Sequence, residues 1–238
     1  MGEFYKVVRR IPKLPVLGSA IYHKYYYGLL KDHYIIDIET TGLDERRDVI
    51  ICFGIADLSK QLATIYFLEE PHKHAKFRKF CKSLVLSIMN SGGKVWSYNT
   101  DFEGAFLGIK GLRELSCKYL GCGYLRYGRK DWTYEEFIRY LFKSELIKDE
   151  EKELLKKFVV SDEIDGSQVP ELYFYDWVIY RKEEAKMKII NHNYYDLVKE
   201  AIILFTIFHM IETIKLHLLN EYGRIPEIFL QLFNKYIH

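Results

Sequence analysis

The segment Tyr34-Ile35-Ile36-Asp37-Ile38-Glu39 sets two carboxylates two residues apart among β-branched and aromatic neighbours, then runs into Thr40-Thr41-Gly42-Leu43-Asp44. The first six residues favour a strand. Alternation along a strand then puts Asp37 and Glu39 on one face, about 7 Å apart, and Ile36 and Ile38 on the other. Two such carboxylates inside a core repel each other and are costly to desolvate. A divalent cation removes both costs, and hard oxygen donors suit Mg²⁺ or Mn²⁺. The alternative is a chance surface Asp-x-Glu. The apolar residues on both sides, and the Thr-Thr-Gly-Leu that follows, argue against it.

Two later stretches carry candidate partners. Tyr98-Asn99-Thr100-Asp101-Phe102-Glu103-Gly104-Ala105-Phe106-Leu107 passes from strand to helix, where acids can face the C-terminal edge of a sheet. Favourable acids at a helix N-terminus are the plainer explanation of Asp101 and Glu103. In Asn191-His192-Asn193-Tyr194-Tyr195-Asp196, His192 and Asp196 are four apart and share a face if the helix begins early enough.

The elements that must position these groups follow from periodicity. Val49–Ala56 and Ala63–Leu68, joined by a short polar turn, read as a hairpin and give a three-stranded antiparallel meander with the first strand. A helix is expected over His74–Met89, with Lys73, Lys76, Arg78, Lys79 and Lys82 as its solvated face. Ser91-Gly92-Gly93 ends it, and Lys94–Ser97 is a fourth strand. Glu135–Phe142 and Glu150–Phe158 have helical patterns, and Ser161–Pro170 is a loop by composition. Glu171–Tyr180 reads as an aromatic helix. A long helix reaching about Asn220 carries the apolar stripe Leu197, Ala201, Leu204, Phe205, Phe208 and Ile211. Gly223 closes it, before a short helix over Pro226–Ile237. The expected organisation is a basic, Tyr-rich extension over 1–32, one α/β domain over 33–220, and a terminal helix over 221–238.

The 238 residues are 49% hydrophobic and 16% aromatic, enough for a substantial core. With 35 basic and 33 acidic residues, the net charge of +2 excludes a protein that coats nucleic acid by charge alone. Tyr5, Arg9, Arg10, Lys13 and Tyr22-His23-Lys24-Tyr25-Tyr26-Tyr27 suit either stacking of a single strand or, more simply, cover over the core. Cys52, Cys81, Cys117 and Cys122 form no CxxC pair, so buried or free thiols are expected and a metal role for Cys117 and Cys122 is the lesser reading. No signal peptide is apparent, and His209, Glu212, Lys215 and His217 interrupt the most apolar run. No membrane span is therefore expected, and the cytoplasm is the expected compartment. Oligomeric state is not readable.

The three acidic motifs, in this order, resemble the DEDD superfamily of 3′–5′ exonucleases, which has an RNase H-like fold. Asp37-Ile38-Glu39-Thr40-Thr41-Gly42-Leu43 matches the first motif, and Tyr98–Leu107 resembles the second. His192-Asn193-Tyr194-Tyr195-Asp196 resembles the third. Asp165-Gly166-Ser167-Gln168-Val169-Pro170-Glu171-Leu172-Tyr173 before an aromatic helix, then His-Asn-x-x-Asp and a Leu-rich helix, is similar to the YprB-like, or RNase H-like type 2, branch of predicted exonucleases. The likeness runs from about residue 33 to 215. It implies a mixed sheet with a meander and parallel strands, flanked by helices. It also implies two Mg²⁺ or Mn²⁺ ions held by Asp37, Glu39, Glu103 and Asp196, with His192 as a neutral general base. Glu103 departs from the usual Asp, and His192 sits where the better-known subclasses carry Tyr. Thr40, Thr41, Gly42 and Asn99 would meet the substrate, a single strand or 3′ end of nucleic acid. Two rival outcomes are a catalytically weakened nucleic-acid-binding domain and a structure-selective endonuclease on the same fold.

Overall fold

The computed structural model describes residues 4–12, 30–115 and 162–222. Six strands form one mixed sheet: β1 (Tyr5–Arg10), β2 (His33–Thr40), β3 (Ile50–Asp57), β4 (Leu62–Phe67), β5 (Lys94–Ser97) and β6 (Arg113–Glu114). Their order is β1-β4-β3-β2-β5-β6. The β2–β3–β4 meander is antiparallel, as expected, and β5 and β6 add parallel strands on the other side of β2. The expected extension over 1–32 needs correction. Tyr5–Arg10 is an edge strand paired antiparallel with β4, so the meander has four strands. Its alternating half-buried and exposed pattern is that of an edge strand with one covered face.

Helix α1 (His74–Asn90) buries Phe77, Cys81 and Val85 at helical spacing. It shares one sheet face with α2 (Thr100–Leu107), where both pack against Ile36, Ile38, Phe53 and Ile55. The expected Lys82 solvent face is partly recruited: its ammonium caps α2 by donating to the Gly108 carbonyl at 2.8 Å.

The opposite face carries Ile35, Cys52, Ala56, Ile65 and Phe67 and is covered by α4 (Glu183–Tyr222). Leu197, Ala201, Leu204, Phe205 and Phe208 of the anticipated stripe are buried there; the Ile211 side chain lies outside the described ones. Each large side chain so buried contributes about 1.5–3 kcal/mol, enough together to offset the crowding of charge nearer the start of the helix. Before α4 come a single turn, α3 (Val169–Glu171), and a π-helix over Leu172–Ile179. The π-helix donates from the Tyr173 hydroxyl to Leu68 O at 3.0 Å and from Trp177 Nε1 to Glu69 O at 3.1 Å. It thereby ties the chain beyond β4 to the α4 side.

Among the described residues, no helix is long and apolar enough to cross a membrane. Cys52 and Cys81 are buried free thiols. The expectations for Cys117, Cys122, residues 135–158 and the terminal helix all fall outside the described residues.

Candidate metal centre

Asp37 and Glu39 project from β2 on the face that α4 covers, the face shared by Ile35. Asp37 lies opposite Gly54 of β3, and Glu39 opposite Cys52. A register shift follows immediately, between Glu39 and Thr40, and bends the strand away at the edge of the site. Gly54 lets the helix come close. A Cβ there would lie 2.1 Å from Asn193 Oδ1 and 2.7 Å from Leu197 Cδ1. Only a bare backbone accommodates that approach.

The third motif lies inside α4, which begins nine residues ahead of His192 rather than at it. His192 and Asp196 therefore share a face, with Nε2 of the ring 3.7 Å from Asp196 Oδ2. Ligand atoms of Glu39, His192 and Asp196 lie within 4.8 Å of one another. Asn193, on the adjoining helical face, donates from Nδ2 to Asp37 Oδ2 at 2.6 Å.

Three residues that the sequence reading did not assign hold this cluster. Asp162, thirty positions upstream in the anticipated loop, accepts from His192 Nδ1 at 3.0 and 3.1 Å. Lys199 donates to Asp162 Oδ2 at 2.7 Å and to Asp196 Oδ1 at 2.8 Å. Asn193 is the third. Lys199 was findable, because 192, 196 and 199 fall on one helical face; nothing in the sequence marks Asp162.

Burial is the first cause of the electrostatics here. It pushes the Asp37 carboxyl well above the usual carboxylate range, with the charges of Glu39, Asp196, Glu200 and, last, Glu103 adding to the effect. Burial likewise lifts Glu39 to about 7, although the His192 charge opposes it. For His192, burial favours the neutral ring. The Asp162 hydrogen bond and the charges of Glu39 and Asp196 overcome it and raise the group to about 9. The neutral His192 expected from its ordinary pKa is therefore not the form held when the carboxylates stand alone. Asp162, despite burial, is kept below the carboxylate range by hydrogen bonds from His192 and Lys199.

Glu103 stands apart. It is 4% exposed on α2 and belongs to a helix packed on the opposite sheet face. Burial raises it to about 8, and hydrogen bonds from the backbone N–H groups of Glu103 and Asn99 lower it only partly. The only coupling to the β2 pair is as the weakest of the four charges acting on Asp37. Asp101, the fallback acid of that motif, is exposed.

The proposed substrate contacts form the rim. Thr40 Oγ1 donates to Gly42 O at 2.6 Å, and Thr41 Oγ1 accepts from Val49 N at 3.0 Å. A Cβ on Gly42 would meet the Asp48 carboxylate at 2.4–2.7 Å, so Asp48 already accounts for glycine there. Asn99 is exposed at the start of α2, and its carbonyl accepts from the N–H groups of Phe102 and Glu103.

The donor set fits a divalent cation. Glu39 is 7% exposed, and its Oε1 has no hydrogen-bond donor; the same holds for Glu103 Oε2 and Asn193 Oδ1. Buried acceptors left so are costly, and a cation satisfies them. A sequence model described as the RNase H superfamily matches residues 34–207, a span containing all five of Asp37, Glu39, Glu103, His192 and Asp196. Searches of curated proteins and of solved structures return no significant match.

Proposed function

Since this chain belongs to the RNase H superfamily, we propose that it is a metal-dependent nuclease hydrolysing phosphodiester bonds of nucleic acid, removing nucleotides from a single-stranded 3′ end. The observation that carries the reading is the convergence of buried Glu39, His192 and Asp196 beside Asp37, with an unsatisfied Glu39 oxygen at its centre. Asp37, Glu39 and Asp196 would hold Mg²⁺ or Mn²⁺, with Glu103 as a ligand directly or through water. Two such ions, when bound, would supply charge neutralisation at the phosphate and acidify a water at neutral pH.

The rest is what the chain's own groups do. Asn193 fixes one Asp37 oxygen, leaving the other toward the site. Lys199 and Asp162 orient Asp196 and His192 from behind. The Thr40–Gly42 turn, braced by Asp48, lies at the mouth where a terminal nucleotide would rest. An imidazole held there serves proton transfer once a cation has displaced its proton.

A catalytically weakened binding domain is the second reading. One observation favours it: the Lys199 ammonium already pairs with Asp162 and Asp196, and so competes for charge that a cation needs. A 5′-labelled oligonucleotide ladder separates the readings, run on DNA and on RNA with Mg²⁺, Mn²⁺ or EDTA. Stepwise shortening from the 3′ end that EDTA abolishes is the expected result. Internal fragments would instead mark a structure-selective endonuclease, and retention of intact strands would mark a binding domain.

A further inference from the structure

The two ring nitrogens of His192 are used differently. Nδ1 is committed to Asp162, which accepts with both oxygens at 3.0 and 3.1 Å. That bond requires the proton on Nδ1 and leaves Nε2 as the ring's lone-pair donor. Nε2 faces Asp196 Oδ2 at 3.7 Å, in a triangle whose third corner is the Glu39 carboxylate. The side chains of His192 and Asp162 are each only 8% exposed. Lys199 secures the arrangement by holding the second oxygen of Asp162 and the Oδ1 of Asp196. A carboxylate behind an imidazole, with the far nitrogen turned to a cluster of acceptors, is the arrangement by which proteins orient a metal-binding histidine.

We propose that His192 Nε2 is itself a cation ligand, with Glu39 and Asp196, and that this nitrogen makes the site select a divalent transition ion over Mg²⁺. Asp162 is the positioning residue for that ligand. Ligand atoms about 2.0–2.2 Å from a shared ion need only a small contraction of the observed triangle. Mg²⁺ prefers an all-oxygen octahedron and gives up water reluctantly, whereas imidazole strengthens binding progressively from Mn²⁺ through Co²⁺. The inference rests on reading this cluster as a cation site, as the proposed function does, but not on nucleolysis.

The test uses the full chain, stripped of metal and without nucleic acid. Calorimetric titration should give affinities in the order Mg²⁺ < Mn²⁺ < Co²⁺. Electron spin-echo spectroscopy of the Mn²⁺-loaded protein should show coupling to one imidazole nitrogen. In His192→Gln that coupling disappears and Mn²⁺ affinity falls about 10- to 100-fold, while Mg²⁺ affinity moves less than about threefold. Asp162→Ala should cost a similar factor for Mn²⁺, and Asp162→Asn, which can still accept from Nδ1, should restore most of it. Circular dichroism of each variant guards against a folding defect. Absence of nitrogen coupling in the wild type, or equal weakening of Mg²⁺ and Mn²⁺ in His192→Gln, overturns the inference. If the coupling is present but the oligonucleotide ladder stays intact, the nuclease reading fails alone. If strands are cut without any coupling, the ligand assignment fails alone.

Discussion

The two flanks of the metal centre are built differently. On the α4 flank, Asp37, His192 and Asp196 are each tied by a named partner: Asn193, Asp162 and Lys199. On the α2 flank, Glu103 is as deeply buried, yet one of its oxygens has no donor and a second acid, Glu114, lies near enough to raise it. One flank is positioned and the other is merely enclosed. Geometry for chemistry has to be held by a supporting layer, so the α4 flank is where loss of a single group should be felt most. It also explains how a glutamate, longer by one methylene than the aspartate of the resembling family, is tolerated on α2. A site that reaches its ion through water, or only weakly, does not demand one length.

Substitution separates the flanks. Asp37→Asn keeps the shape and the Asn193 contact but removes the charge at the centre of the carboxylates. Metal-dependent cleavage should fall more than about 10³-fold, with thermal stability unchanged or higher because a buried repulsion is gone. Cleavage at the wild-type rate would remove the mechanism. Glu103→Gln should cost no more than about 10- to 100-fold, the range of a supporting ligand. A loss as large as that of Asp37→Asn would show that α2 closes on the ion in the working state and that the contrast between flanks is only apparent.

How much of this contrast could be read in the sequence depends on range. Alternation along six residues put Asp37 and Glu39 on one face, and the four-residue step put His192 under Asp196; both are local rules that the backbone obeys. Lys94–Ser97 was placed to the residue because glycines on one side and a strand-to-helix junction on the other leave little freedom. The N-terminal strand was missed for the opposite reason. Tyr5–Arg10 is polar on one face, like any edge strand, and only pairing with β4, more than fifty residues away, makes it part of the sheet. Asp162 was invisible for the same cause, since its partner His192 is thirty residues on. Gly54 looked like an ordinary strand glycine; the need for it arises only when α4 docks.

The smallest effect concerns stability, and it reports both flanks together. Glu39 and Glu103 have folded-state values of about 7 and about 8 against an ordinary 4.5, and His192 about 9 against 6.5. All three bind protons more tightly folded than unfolded, so their contribution is present at low pH and is lost as pH rises through those values. His33 runs the other way. Burial, then the nearby charges of Lys94 and Arg113, lower it to about 3, so its contribution is lost only as pH falls below 6.5. Between pH 6.5 and 8 the first group acts alone among these four. In EDTA, the urea midpoint should therefore drop across that interval by the equivalent of roughly 1–3 kcal/mol, at about 1.4 kcal/mol per pH unit for each proton of difference. A saturating divalent cation should flatten the slope, because it stabilises the ionised carboxylates and binds only the folded chain. Glu103→Gln should remove part of the slope in EDTA while leaving the cation's effect in place, since the ion sits on the α4 flank. A midpoint that holds steady in EDTA from pH 6.5 to 8 would mean these carboxyls are not crowded in solution, and the physical case for a cation among them would go with it.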